Sequence, residues 1–114
     1  MAIRNSNQSS LDKTFRALGD QSRRDILAAI CANGSCTAGE LTELFDSAQP
    51  TISKHIKVME KAELIDRYVE GRTHRFKLNT TRLVQADEWV RKHLDFWENS
   101  VEQLAQYLDE KPES

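Results

Sequence analysis

The stretch SAQPTISKHIKVMEKA, from Ser47 to Ala62, gathers the groups of this chain best suited to polar recognition. Set at about 100° per residue, Ile52, Ile56 and Met59 share one side and define a buried stripe. Pro50, Ser53, Lys54, Lys57 and Lys61 fall on the other side. Lysines at such spacing form a rail of cations that suits phosphate groups, and a hydroxyl among them can serve base edges or phosphates. Alone, this face would more simply be a solvated surface. The next segment, LIDRYVEGRTHRFKL, alternates with period two around Glu70-Gly71-Arg72-Thr73, the pattern of a β-hairpin. Leu64, Tyr68, Phe76 and Leu78 supply its apolar positions; Arg67, Arg72, Arg75 and Lys77 supply charge. An arginine at a glycine-containing tip, directly after a cationic helix, has the form of a wing reaching along a duplex backbone or into a minor groove.

These groups need a scaffold, and the composition allows one. The 114 residues are 39% apolar and 30% charged, which suits one domain with its own core. No apolar run approaches the length of a membrane span and the start MAIRNSNQSS lacks a signal-peptide core, so a cytoplasmic location and no membrane partner are expected. The net charge of −2 argues against nucleic acid only as a whole-chain sum. From Gln49 to Arg82, eight basic residues face four acidic ones, whereas from Leu83 onward three bases face eight acids. The cationic part is the centre of the chain.

Taken in order, residues 1–9 are polar and expected to form a disordered tail, followed by a single domain over 10–109 and a second tail over 110–114. Leu11, Phe15 and Leu18 suggest a first helix ended by Gly19. Asp20 suits the N-cap of a second, QSRRDILAAICA, with Ile26, Leu27, Ile30 and Cys31 inward and Asn33-Gly34 closing it. Thr37 and Glu40 form a capping-box pair for a third helix to Phe45, whose inward set is Ala38, Leu41, Leu44 and Phe45. After a break at Asp46-Ser47 comes the cationic helix over 48–62, with Pro50 tolerable in its first turn. Two helices joined by so short a turn have the sequence form of a helix-turn-helix.

The last segment, about 81–108, is a long helix. Val90, Leu94, Trp97, Val101, Leu104 and Leu108 step by four and three residues alternately, a seam of nearly heptad form. With Leu11 and Phe15 of the first helix, this seam is expected to form the interface of a two-fold homodimer; the other reading is a helix folded back on its own domain. The expected fold is mainly α with one β-hairpin, a winged helix-turn-helix in the order α-α-α-α-β-β-α.

FRALGDQSRRDIL, TAGELTELFDSAQPTISKHIKVMEKAELI, VEGRTHRFKLN and a tryptophan-bearing terminal helix, occurring in this order, resemble the ArsR family of winged-helix transcriptional regulators. The resemblance implies a homodimer reading a partly palindromic double-stranded DNA operator, usually as a repressor. It implies that Gln49, Thr51, Ser53 and Lys54 face bases and phosphates, that Lys57 faces the backbone, and that Arg72 and Thr73 act at a wing over 70–74. His55, Lys61 and Arg75 form a second rank of contacts, although His55 flanks the buried stripe by helical angle and is read first as structural. The family's usual Ser or Thr at the start of the recognition helix is Ala48 here, with Ser47 one residue earlier as the alternative cap.

Many members sense metals through Glu-Leu-Cys-Val-Cys-Asp-Leu in the third helix. Aligned on Leu41, the two cysteine positions fall on Thr37 and Gly39, and Cys36 stands at a leucine position. The terminal-helix pattern Asp-x-His also fails, since Asp87 is followed by Trp89, and His93 lacks a partner. Cys31, Cys36, His55, His74 and His93 show no spacing that converges on a metal, so no metal and no cofactor are expected. Cys31 is read as a small core residue. Two further readings use the same fold: a sensor responding through the Cys31/Cys36 thiols or an unknown effector, and a winged-helix module that binds protein. No enzyme is expected, because no nucleophile, base and orienting acid cluster and no phosphate-cradling glycine loop can be named.

Overall fold

A computed structural model describes residues 6–110. Five helices and one hairpin follow in the order α1 (Ser6–Leu18), α2 (Gln21–Asn33), α3 (Ala38–Phe45), α4 (Gln49–Lys61), β1 (Ile65–Glu70), β2 (Thr73–Leu78) and α5 (Thr81–Glu110). The expected tails fall partly outside the described residues, while Ser6–Ser9 already belong to α1.

The local signals act as the sequence suggests. The Arg23 amide donates to the Asp20 carboxylate at 3.0 Å and opens α2. This bond, helped by the charges of Arg23 and His55, holds the Asp20 carboxyl below its ordinary pKa. The support is complete above the ordinary value and is lost as pH falls through the lowered one. Thr37 and Glu40 close a reciprocal capping box on α3. The arginines of QSRR add something periodicity does not show. Arg23 Nε and Nη2 donate to the carbonyls of Ala17 and Arg16, and Arg24 Nη1 donates to that of Leu18, so the open end of α1 is satisfied by the next helix.

The core lies where α1 to α4 meet the hairpin. Ala17, Ile26, Ile30, Leu41, Ile52, Ile56, Met59, Leu64, Ile65 and Phe76 are nearly inaccessible. Phe76 ties the layers together: its amide and carbonyl pair with those of Cys36 at 2.8 and 3.0 Å, adding one bridge residue beside the hairpin. Thr14 is buried mid-helix because its hydroxyl donates to the Ser10 carbonyl.

Two inward assignments change. Cys31 is exposed and Cys36 is the buried cysteine. On the 100° spacing Cys31 lies at the far edge of the arc begun by Ile26 and Ile30, beyond Leu27, whereas Cys36 enters the core through its bridge to Phe76. Leu44 is 59% exposed, since Ala38 and Phe45 lie to one side of the buried Leu41 and Leu44 to the other.

The helix α5 projects from this core. A compact chain of this length would have a radius of gyration of roughly 13 Å, whereas the structure has 20.0 Å and a longest dimension of 74 Å. Leu83 and Ala86 pack on the core side, Trp89 meets Phe15 edge to face at 5.6 Å, and the residues beyond lie open. The fold-back reading of the apolar seam does not hold.

Candidate nucleic-acid interface

The helix α4 is held between two turns of one kind. At its approach, Asp46 adopts a left-handed conformation (φ 48°) while the amides of Asp46 and Ser47 reach back to the carbonyls of Glu43 and Thr42. At its exit, Glu63 does the same (φ 59°) while the amides of Glu63 and Leu64 reach the carbonyls of Glu60 and Met59. Both are Schellman turns, which satisfy helix-end carbonyls and redirect the chain sharply. Glycine is the usual residue at such positions; here Asp and Glu stand there. The first turn sets α3 against α4, and the second sends the chain into β1, so helix and wing are fixed to each other.

At its start, α4 is capped by Ala48, which offers no side-chain bond, and Ser47 instead donates to the Phe45 carbonyl at 3.3 Å. No acidic residue in the first turn offsets the positive end of α4. Ala48→Ser is therefore expected to stabilise the protein by about 1 kcal/mol, read as a higher urea midpoint. An unchanged midpoint would mean that the Thr51 amide already has its full partner in the Ala48 carbonyl.

Ile52, Ile56 and Met59 are buried, and the opposite face carries Lys54, Lys57 and Lys61, all exposed. Gln49 and Thr51 are exposed at the start of the helix, and Ser53 and His55 are half-buried on its two flanks. Ser53 and Lys57 line a groove shared with Arg67, His74 and Phe76 of the hairpin. Thr51 and His55 line a crevice toward Ser22 and Asp25 of α2. Arg72 and Thr73 are exposed at the wing tip, where Glu70 pairs with Thr73. Gly71 has a φ of 66° and Arg72 has no positive φ, the sense of a two-residue type II′ turn, which needs glycine first.

The cations divide into two groups. Arg67 makes a two-point pair with Glu60 at 2.8 and 3.2 Å, Arg82 pairs with Glu63, and Arg75 binds Ser35 at 3.0 Å and Glu40 at 3.3 Å. These arginines fasten the hairpin and α5 to the helices. Arg75 in particular engages the same Glu40 oxygen that completes the α3 capping box. Lys54, Lys57, Lys61 and Arg72 have no ion-pair partner among the described residues. Glu60 and Glu63 thus neutralise Arg67 and Arg82, and Glu40 engages Arg75, whereas the outer lysines and the wing-tip arginine have no such acid among the described residues.

Among the described residues, no three His, Cys, Asp or Glu side chains converge to hold a metal ion, and no helix is long and apolar enough to cross a membrane. A helix held by a tight turn, with a free cationic face beside an arginine-tipped hairpin, defines a winged helix-turn-helix DNA-binding regulator.

Residues 18–68 match the family model described as a helix-turn-helix domain. The chain is 31% identical over 91 residues to the transcriptional repressor SdpR of Bacillus subtilis, covering 80% of this chain and 100% of SdpR. It is 32% identical over 101 residues to the HTH-type transcriptional regulator Rv2034 of Mycobacterium tuberculosis, covering 88% and 90% of the two chains. A crystal structure of an ArsR family transcriptional regulator superposes with a TM-score of 0.72 at 28% identity, covering 86% of this chain and 97% of that one. The chain belongs to the ArsR family of winged helix-turn-helix transcriptional regulators. Members of this family regulate transcription and are not enzymes.

Proposed function

We propose that this chain is a homodimeric repressor that reads an inverted-repeat operator, each protomer placing α4 in a major groove and its wing tip beside the neighbouring phosphates. The observation that carries this reading is the pairing of a free cationic face with an uncovered apolar seam. Val90, Leu94, Trp97, Val101, Leu104 and Leu108 are between 44% and 64% exposed, and an apolar surface of this extent calls for a partner. A second copy related by a two-fold axis would cover it, with Phe15 and Leu11 at its margin. The axis would also duplicate the reading helix, as a palindromic site requires. Repression is favoured by the relative SdpR, which is a repressor; the place of action would be the cytoplasm.

Within α4, Gln49, Thr51, Ser53 and Lys54 are the base- and phosphate-facing residues, with Lys57, Arg72 and Thr73 on the backbone. Arg75 and Arg67 serve the scaffold. His55, in the crevice toward Asp25, supports the entry of α4 and is left a phosphate contact at most. Gln49→Ala is expected to relax preference at one base pair of each half-site, because a glutamine amide can pair with both N6 and N7 of adenine. Arg72→Ala should weaken binding evenly across sequences, and loss confined to one base pair would reassign Arg72 to base reading.

The reading is tested by gel retardation of the DNA upstream of the protein's own gene across a salt series, with sedimentation of the free protein. A dimer whose affinity falls steeply with salt is expected. Absence of a complex at low salt would favour the protein-binding module.

A further inference from the structure

Lys61 stands at the opposite end of α4 from Gln49, about 18 Å along the helix at 1.5 Å per residue. There, with Val58 and Ala62, it lines a cleft of about 350 Å³ whose other wall is Lys13 and Arg16 of α1. The floor is apolar: Ala62 is 5% exposed and Val58 is half-buried against the core. The rim is cationic, and none of Lys13, Arg16 and Lys61 has an ion-pair partner among the described residues. On the helical spacing of α1, Lys13 and Arg16 lie across the buried Thr14 and Ala17 from Phe15, which meets Trp89. The cleft thus lies beside the C-terminal end of α4, on the side of α1 turned from Phe15 and Trp89.

From this geometry we infer that the cleft binds an amphipathic organic anion, a carboxylate on an apolar body. An inorganic anion would satisfy the cations and leave the floor wet. A neutral apolar molecule would fill the floor and leave three like charges uncompensated. The volume falls within the roughly 300–1,000 Å³ of small-molecule sites. Because α1 packs on both α4 and α5, an occupant wedged between α1 and α4 bears on the angle between the reading helix and α5. Occupancy therefore changes operator affinity, a consequence that rests on the operator reading above.

The test uses the intact protein, octanoate as probe, and octan-1-ol and inorganic phosphate as controls, followed by amide chemical shifts. Octanoate should shift the amides of residues 13–16 and 58–62 saturably. The two controls, and octanoate on a Lys13→Gln, Arg16→Gln double variant, should each bind about tenfold more weakly or worse, as the loss of charge-assisted contacts implies. Octanoate should also change the affinity of the wild-type protein for DNA selected from a random pool. No saturable shift, or an equal response to either control, overturns the site. Saturable binding with unchanged DNA affinity keeps the site and overturns its effector role. A double variant that loses DNA affinity without octanoate, with a shallower salt slope, would make the cleft a DNA contact and overturn the proposal. DNA affinity measured without octanoate reports on the operator reading by itself, so the two failures are distinguishable.

Discussion

Replacing Lys54 and Lys57 together by alanine is expected to lower operator affinity about a hundredfold near 0.1 M salt while leaving the fold intact. Both side chains are exposed, and neither has an ion-pair partner among the described residues. Exposed substitutions without partners typically change stability by less than about 0.5 kcal/mol, so the melting temperature should hardly move. A dimer would lose four lysines at once. If each neutralises one phosphate, the slope of log affinity against log salt becomes shallower by roughly 3.6 units. A hundredfold loss with an unchanged slope would mean that the lysines act otherwise than on phosphates.

The second large effect belongs to α5. If α5 forms the proposed homodimer, Leu94→Glu with Val101→Glu should leave the protein monomeric and reduce operator binding by more than about a hundredfold, because each half-site would then be read alone. Burying a Leu or Val side chain is worth about 1.5–3 kcal/mol, and the two-fold axis counts each of them twice. Both residues are about half exposed in the single protomer, on the part of α5 that stands clear of the core. The helical circular dichroism at ambient temperature should therefore match the parent's, while the melting temperature falls because association no longer stabilises the fold. A variant that remains dimeric in sedimentation would place the interface elsewhere.

The order of elements, the buried stripe of α4 and the cationic excess around it were legible because amphipathic periods and charge write themselves directly into the sequence. Other features were not. The turns that aim α4 depend on left-handed backbone at Asp46 and Glu63, where the usual glycine signal is missing. Cys36 is buried through one bridge residue, which has no period to detect, whereas helical period points to Cys31. Arginines at the hairpin looked alike in sequence. Only their partners separate Arg67 and Arg75, which hold the scaffold, from Arg72, which has no ion-pair partner among the described residues. The pair Arg23 and Arg24 could have been suspected from a helix ending in Leu-Gly with arginines a few residues on, since its last carbonyls needed donors. At the start of α4, Ala48 is the departure that matters: the helix begins without a side-chain cap, and the Thr51 and Ile52 amides turn to the Ala48 carbonyl.

Selection of bound sequences from a random DNA pool by the purified protein tests the central claim most directly. An inverted repeat is expected, with half-site centres about one helical turn, 10–10.5 base pairs, or a multiple of it apart. Recovery of no enriched sequence, or of a single half-site without symmetry, would contradict it.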